Sequence, residues 1–141
     1  MTGGRGHGTP PWIIRPAGWP EPRGYSDGII AEGRIVALAG QVGWNPETQE
    51  MVSDDFAEQA AAALRNMATI LRAAGAEPLH LVRVTWWITD RGAYVRARRA
   101  LGAAWRDVVG DHYPPMSVVI VSGLLESRAL VEIEATAVVP L

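Results

Sequence analysis

The chain has 141 residues, with 15 acidic and 13 basic side chains; every basic one is arginine, there is no cysteine, and the net charge is -2. Without lysine it forms no Schiff base and has no Walker-type phosphate loop, and without cysteine it has no thiolate nucleophile, disulfide or cysteine-bound zinc. A composition of 48% hydrophobic and 20% charged residues describes one globular domain with a real core, and the acidic balance argues against general nucleic-acid binding.

Residues 1–23 carry Gly3, Gly4, Gly6, Gly8, Pro10, Pro11, Pro16, Gly18, Pro20 and Pro22, too many breaks for a helix or a central strand. Gly3 to Pro11 reads as a loose tail. Trp12, Ile13, Ile14 and Trp19 hold too much apolar surface for free chain and are expected to lie against the body. The domain proper is read as residues 24–141. No apolar run approaches the roughly 20 residues of a membrane helix and no apolar signal core is present, so a cytoplasmic protein without membrane contact is expected.

Gly28 to Glu32 and Arg34 to Val42 read as strands joined at Glu32-Gly33, a hairpin signal, with a turn at Asn45 to Gln49. Asp54 to Ala74 is a helix: Phe56, Ala60, Ala63, Leu64, Met67, Ile70 and Leu71 recur at helical spacing. Asp55 with Glu58 makes a capping box, and Gly75 provides the stop. Leu81 to Thr89 is a strand and Ala93 to Val109 a second helix, with Tyr94, Leu101, Trp105 and Val108 on one face. Ser117 to Val121 and Leu130 to Val139 are the last strands. The order β-β-α-β-α-β-β implies an α+β domain, one sheet with two helices on one face.

Strand alternation places Val82, Val84, Trp86 and Ile88 on one face and Arg83, Thr85, Trp87 and Thr89 on the other; Val131, Ile133, Ala135 and Ala137 likewise oppose Glu132, Glu134 and Thr136. If the helices cover Trp86 and Ile133, the second face still carries Trp87 and aliphatic side chains beside carboxylates. That is too apolar to face water, so subunits are expected to associate over it, with Glu132 in clefts at the contacts.

Four patterns occur in order: Gly24-Tyr25-Ser26; Ala39-Gly40-Gln41-Val42 with Asn45-Pro46-Glu47-Thr48; Val84 to Asp90; and Tyr113-Pro114-Pro115-Met116-Ser117 with Val131-Glu132-Ile133-Glu134-Ala135. Together they resemble the Rid (YjgF) family of reactive-intermediate deaminases from about Gly24 to Val139. The resemblance implies a chorismate-mutase-like fold and a homotrimer with clefts between subunits. It also implies hydrolysis of enamines or imines to a keto product and ammonia, without metal or organic cofactor.

Carried over residue by residue, the resemblance gives Glu132 as the glutamate that positions or activates water and Tyr25 as the tyrosine lining the cleft. Gly40 and Gln41 form its Gly-Gln turn, and Ser117 follows the substrate-clamping position. The arginine of that clamp is replaced by Met116, which offers no charge and no donor fork. An asparagine of the second helix is replaced by Arg96. Weak binding of small 2-imino acids is expected; either the substrate lacks the carboxylate, or Arg96, Arg98 or Arg99 supplies the charge. Met116 with Trp44 or Trp87 favours a larger or aromatic ligand.

The alternatives are plain. Glu132 also fits a surface carboxylate on an edge strand, and Tyr25 a packing aromatic. Ser26 has no Ser-His-Asp partners. His7, His80 and His112 lack metal-site spacing, so no metal is expected. Arg91, Arg96, Arg98, Arg99 and Arg106 read as a solvated helix face before an RNA surface. Three functions follow in order: an enamine or imine hydrolase, a non-catalytic trimeric protein that binds or senses a small molecule, and an RNA-binding protein or ribonuclease.

Overall fold

The C-terminal strand organises the molecule by pairing on both sides. The computed structural model describes residues 12–141, so the tail Gly3 to Pro11, with His7, lies outside the described residues. The strands are β1 (Trp12–Ile14), β2 (Gly28–Ile30), β3 (Arg34–Val42), β4 (Trp44–Asn45), β5 (Glu50–Met51), β6 (Leu81–Ile88), β7 (Met116–Ile120) and β8 (Val131–Val139). The helices are α1 (Phe56–Ala73), α2 (Arg91–Arg96) and α3 (Arg98–Val108), with one 3₁₀ turn at Pro78–His80. The main sheet has four strands in the order β3-β8-β6-β7; β8 runs antiparallel to β3 and β6, and β7 parallel to β6.

α1 forms as its periodicity requires. Asp55 Oδ2 accepts from Glu58 N at 2.9 Å, but only this half of the expected box forms, because Asp55 N donates instead to Ser53 Oγ at 3.0 Å. The helix closes through Gly75 at φ +74, with Ala76 N donating to Leu71 O at 2.8 Å, a left-handed stop that glycine adopts without strain. Leu64, Met67 and Leu71 are fully buried against Leu81, Val84, Ile88, Val131 and Ile133. All three helices pack on this face of the sheet, and α1 and α3 touch each other.

Three expectations need correction. The hairpin at Glu32-Gly33 does not form: β2 pairs with β1, and β3 pairs with β8. Gly33, at φ +148, passes against the Val139 carbonyl, where a Cβ would overlap it, so β3 starts beside the end of β8 while β2 leaves to one side. The second helix is two, because at Ala97 (φ -90, ψ 0) the N–H bonds both Ala93 O and Tyr94 O and the axis breaks. Nothing in the sequence at Ala97 announces this. In β6, a register shift between Leu81 and Arg83 puts Leu81, rather than Val82, into the core. Of the tail's apolar residues, Trp12 to Ile14 form β1, but only Trp12 is half-buried; Ile13, Ile14 and Trp19 are exposed in the subunit rather than laid against the body.

Candidate functional site

The face of the sheet away from the helices carries Glu132. Its neighbours across the strands are Val42 on β3 and Trp87 on β6, and Val119 on β7 pairs next to Trp87. A second register shift, between Leu38 and Gln41, sets Ala39 and Gly40 opposite Glu134. It brings Gly40 under the Glu132 side chain: a Cβ there would overlap Oε1 and stand 2.8 Å from Cδ and 2.9 Å from Cγ. The same bulge turns Gln41 the other way. Gln41 is buried opposite Ile133, its Nε2 donates to Ala39 O at 3.3 Å, and its Oε1 accepts from Trp44 Nε1 at 3.4 Å. The Gly-Gln pair is thus divided between the two faces.

Glu132 is held in place from behind. Gln59 on α1 is fully buried; its Nε2 donates to Ser53 O at 3.0 Å and Arg128 O at 3.1 Å, and its Oε1 accepts from Leu130 N at 2.8 Å. These bonds satisfy all of the amide's buried polar atoms and fix the entry to β8 two residues before Glu132. A glutamine inside an alanine-rich helix gives no sign of this role in the sequence; only a polar residue on the apolar face of α1 hints at it.

On the helical face a cleft of about 580 Å³ opens between α3, β7 and the segment Arg23-Gly24-Tyr25. Trp86, Leu101 and Trp105 are its buried floor; Tyr94, Tyr113 and Met116 are half-buried walls, and Arg23, Tyr25 and Arg98 stand at the rim. The aromatic rings form a chain: Tyr113 stacks on Trp105 at 6.3 Å between centroids, Trp105 meets Trp86 at 6.5 Å, and Trp86 meets Tyr94 edge-on at 6.5 Å. Trp105 Nε1 donates to His112 O at 3.0 Å, and the His112 ring bonds Leu81 O through Nε2 at 2.7 Å. His112 is therefore a buttress of the aromatic floor. Ser26, next to Tyr25, is buried with its N donating to Pro114 O at 3.4 Å, which ties the Tyr25 loop to the strand entry that carries Met116.

The structure thus gathers the candidate residues in two places. Glu132, Gly40 and Trp87 share the open face, where Ser117, paired with Thr85, also falls by alternation, at the exposed edge. Tyr25 and Met116 share the helical-face cleft. Gln41 belongs to neither group. Arg96 does not line the cleft; its guanidinium lies back over Gly92, 2.9 Å from where a Cβ there would be. Of Arg96, Arg98 and Arg99, it is Arg98 that lines the cleft with Met116. Its spacing to Leu101, Gly102 and Trp105, one stripe of α3, is legible in the sequence. Among the described residues, no group of three or more His, Asp or Glu side chains is placed to hold a metal ion, and no helix is long and apolar enough to cross a membrane.

Comparison with known proteins bears on this arrangement. The sequence profile of the endoribonuclease L-PSP family matches residues 20–139. Protein DfrA of Myxococcus xanthus is 31% identical over 115 residues, covering 81% of this chain and 84% of that protein. The human 2-iminobutanoate/2-iminopropanoate deaminase is 28% identical over 114 residues, covering 81% and 79%. A crystal structure of YyfB of Yersinia pestis, described as a protein of unknown function of the conserved Rid family, superposes with a TM-score of 0.81 at 29% identity, covering 92% of this chain and 98% of that one.

Proposed function

The chain belongs to the endoribonuclease L-PSP family, which includes the Rid proteins, and from that premise we propose that it is a cofactor-independent hydrolase of an enamine or imine. Its substrate in this reading is larger or more aromatic than the small 2-imino acids named for the human relative. The observation that carries the reading is the fit of the Glu132 carboxylate over Gly40, beside Trp87, with no hydrogen-bond partner among the described side chains competing for it.

The chemistry asked of Glu132 is that of a general base. Water adds to the C=N carbon; its oxygen forms the new C–O bond, the π pair moves to nitrogen, and the carboxylate takes the water's proton. With that proton delivered to nitrogen the carbinolamine is formed; its hydroxyl then gives its proton to the carboxylate, which passes it to the amine, and as the C=O bond forms the C–N bond breaks and a carbonyl and ammonia leave. An enamine enters the same sequence after a proton adds at its carbon.

Glu132 and the Tyr25–Met116 pair lie on opposite faces of one subunit, so a site holding both is completed by a neighbouring subunit. Supporting such a homotrimer are Ile35 at 74% exposure and Ile120 at 54%, with Val118 and Val119 beside it on the unpaired edge of β7. The test is ammonia release from a panel of aliphatic and aromatic imines, by the natural chain and Glu132→Ala. Turnover lost in the variant supports the hydrolase.

The same separation, together with Met116, favours a second reading: a trimer that binds a small molecule and does no chemistry on it. Absence of turnover on every imine, with a ligand-induced rise in melting temperature, identifies that case.

A further inference from the structure

We propose that the helical-face cleft is a binding site for an aromatic carboxylate, with Arg98 as the residue that takes the acid group. The floor is ring upon ring, from Tyr113 through Trp105 and Trp86 to Tyr94, which suits a planar apolar body. A box of tryptophan and tyrosine is equally the usual cage of an organic cation. The charges decide between them. Among the described residues of the subunit, Arg23 and Arg98 are the only charged ones that line the cleft; no carboxylate of the same subunit lines it, and the two ion pairs, Arg15–Glu21 and Arg128–Asp54, involve neither of them. A cation would meet two unneutralised guanidinium groups, whereas an anion meets a planar fork suited to a carboxylate.

Arg98 is the better placed of the two. It stands on α3 in the stripe Arg98, Leu101, Gly102, Trp105, so that its guanidinium and the aromatic floor are offered by one rigid helix. Gly102 adds no side chain to the lining between these two: the atoms nearest to a Cβ there belong to the Arg106 guanidinium, Nη1 at 3.2 Å, the end of a flexible side chain. Met116, half-buried in the wall, adds contact area and no competing charge. As the substrate class of the hydrolase, this assignment rests on the reading given above; as a binding site it does not.

The experiment is calorimetric titration of the full chain with three ligands that share one ring and differ in charge: indole-3-acetate, indole-3-ethanol and tryptamine. The expected order is acid first, the alcohol weaker by roughly tenfold or more, as loss of a charge-assisted hydrogen bond implies, and the amine weakest. In Arg98→Gln the acid should fall to the level of the alcohol while the alcohol is unchanged. Gly102→Leu, on the same stripe and compatible with a helix, should weaken all three. Equal binding of acid and alcohol, preference for the amine, no binding of any, or an unchanged acid preference in Arg98→Gln overturns the proposal. The outcome is independent of turnover: acid binding without ammonia release leaves this site standing and removes the hydrolase, while turnover of aliphatic imines without acid binding does the reverse.

Discussion

The carboxylate of Glu132 fills the space that a side chain at residue 40 would need. Because that contact is with the end of a side chain, Gly40→Ala is expected to fold, with a loss of no more than about 1 kcal/mol as Glu132 swings aside. Ammonia release should nevertheless drop to the level of Glu132→Ala. Retention of full activity by Gly40→Ala would show that the position of the carboxylate over Gly40 is irrelevant to turnover.

Gly43 meets a different obstacle. A Cβ there would overlap Gln59 Cα and lie 2.6 Å from Gln59 Cβ, both fixed by α1, so Gly43→Ala should cost about 3 kcal/mol or more and be read as a large shift in the urea midpoint. Gln59→Leu should cost a similar amount, about 2–4 kcal/mol, by stranding the Leu130 N–H and two carbonyls. Arg128→Ala, in the same loop, should leave the melting temperature where it is. Its pair with Asp54 at 2.8 Å is open to solvent, and the hydrogen bond and charge of Asp54 only raise an already high pKa. A raised folded-state pKa gives stability that is lost on going up through that pKa, so Arg128 adds no pH dependence over the working range.

Val119 lies in the row Val42, Glu132, Trp87, Val119 on the open face. On the proposed homotrimer, Val119→Glu is expected to convert the natural chain's trimer to monomers in a sedimentation experiment while the circular dichroism spectrum stays unchanged. An unaltered trimer would put the subunit contact elsewhere.

Met116→Arg restores the donor fork that the resemblance to the deaminases requires. The expected gain in kcat/KM on small 2-imino acids is roughly tenfold or more, the value of a bidentate contact to a charged group. No change in kcat/KM would mean that position 116 does not face the reacting carboxylate.

How far the sequence reaches depends on the range of each interaction. α1 and the alternation in β8 are visible because hydrophobic periodicity is local: Phe56 to Leu71 and Val131 to Ala137 repeat at the helical and strand periods and are buried accordingly. The β1–β2 pairing is not, since Trp12 meets Ile30 across a Gly- and Pro-rich loop that carries no register signal. The candidate site suffers most from bulges. One extra residue in β3 sends Gly40 to Glu132 and Gln41 to Trp44, although the two are adjacent in a motif read as one turn. Arg98 is one of three arginines that the sequence leaves open; of the three, it alone lines the cleft, on the face that carries Leu101 and Trp105.

The edge of β7 has a consequence for the life of the chain outside its assembly. Along this edge β7 has no neighbouring strand among the described residues, and Val118, Val119 and Ile120 are all exposed. A short uncharged β-branched run on an open edge is a template for a foreign strand. In the homotrimer proposed above, a subunit separated from its neighbours by dilution or by mutation is exposed to aggregation through this strand, and newly made chains depend on meeting one another quickly to avoid it.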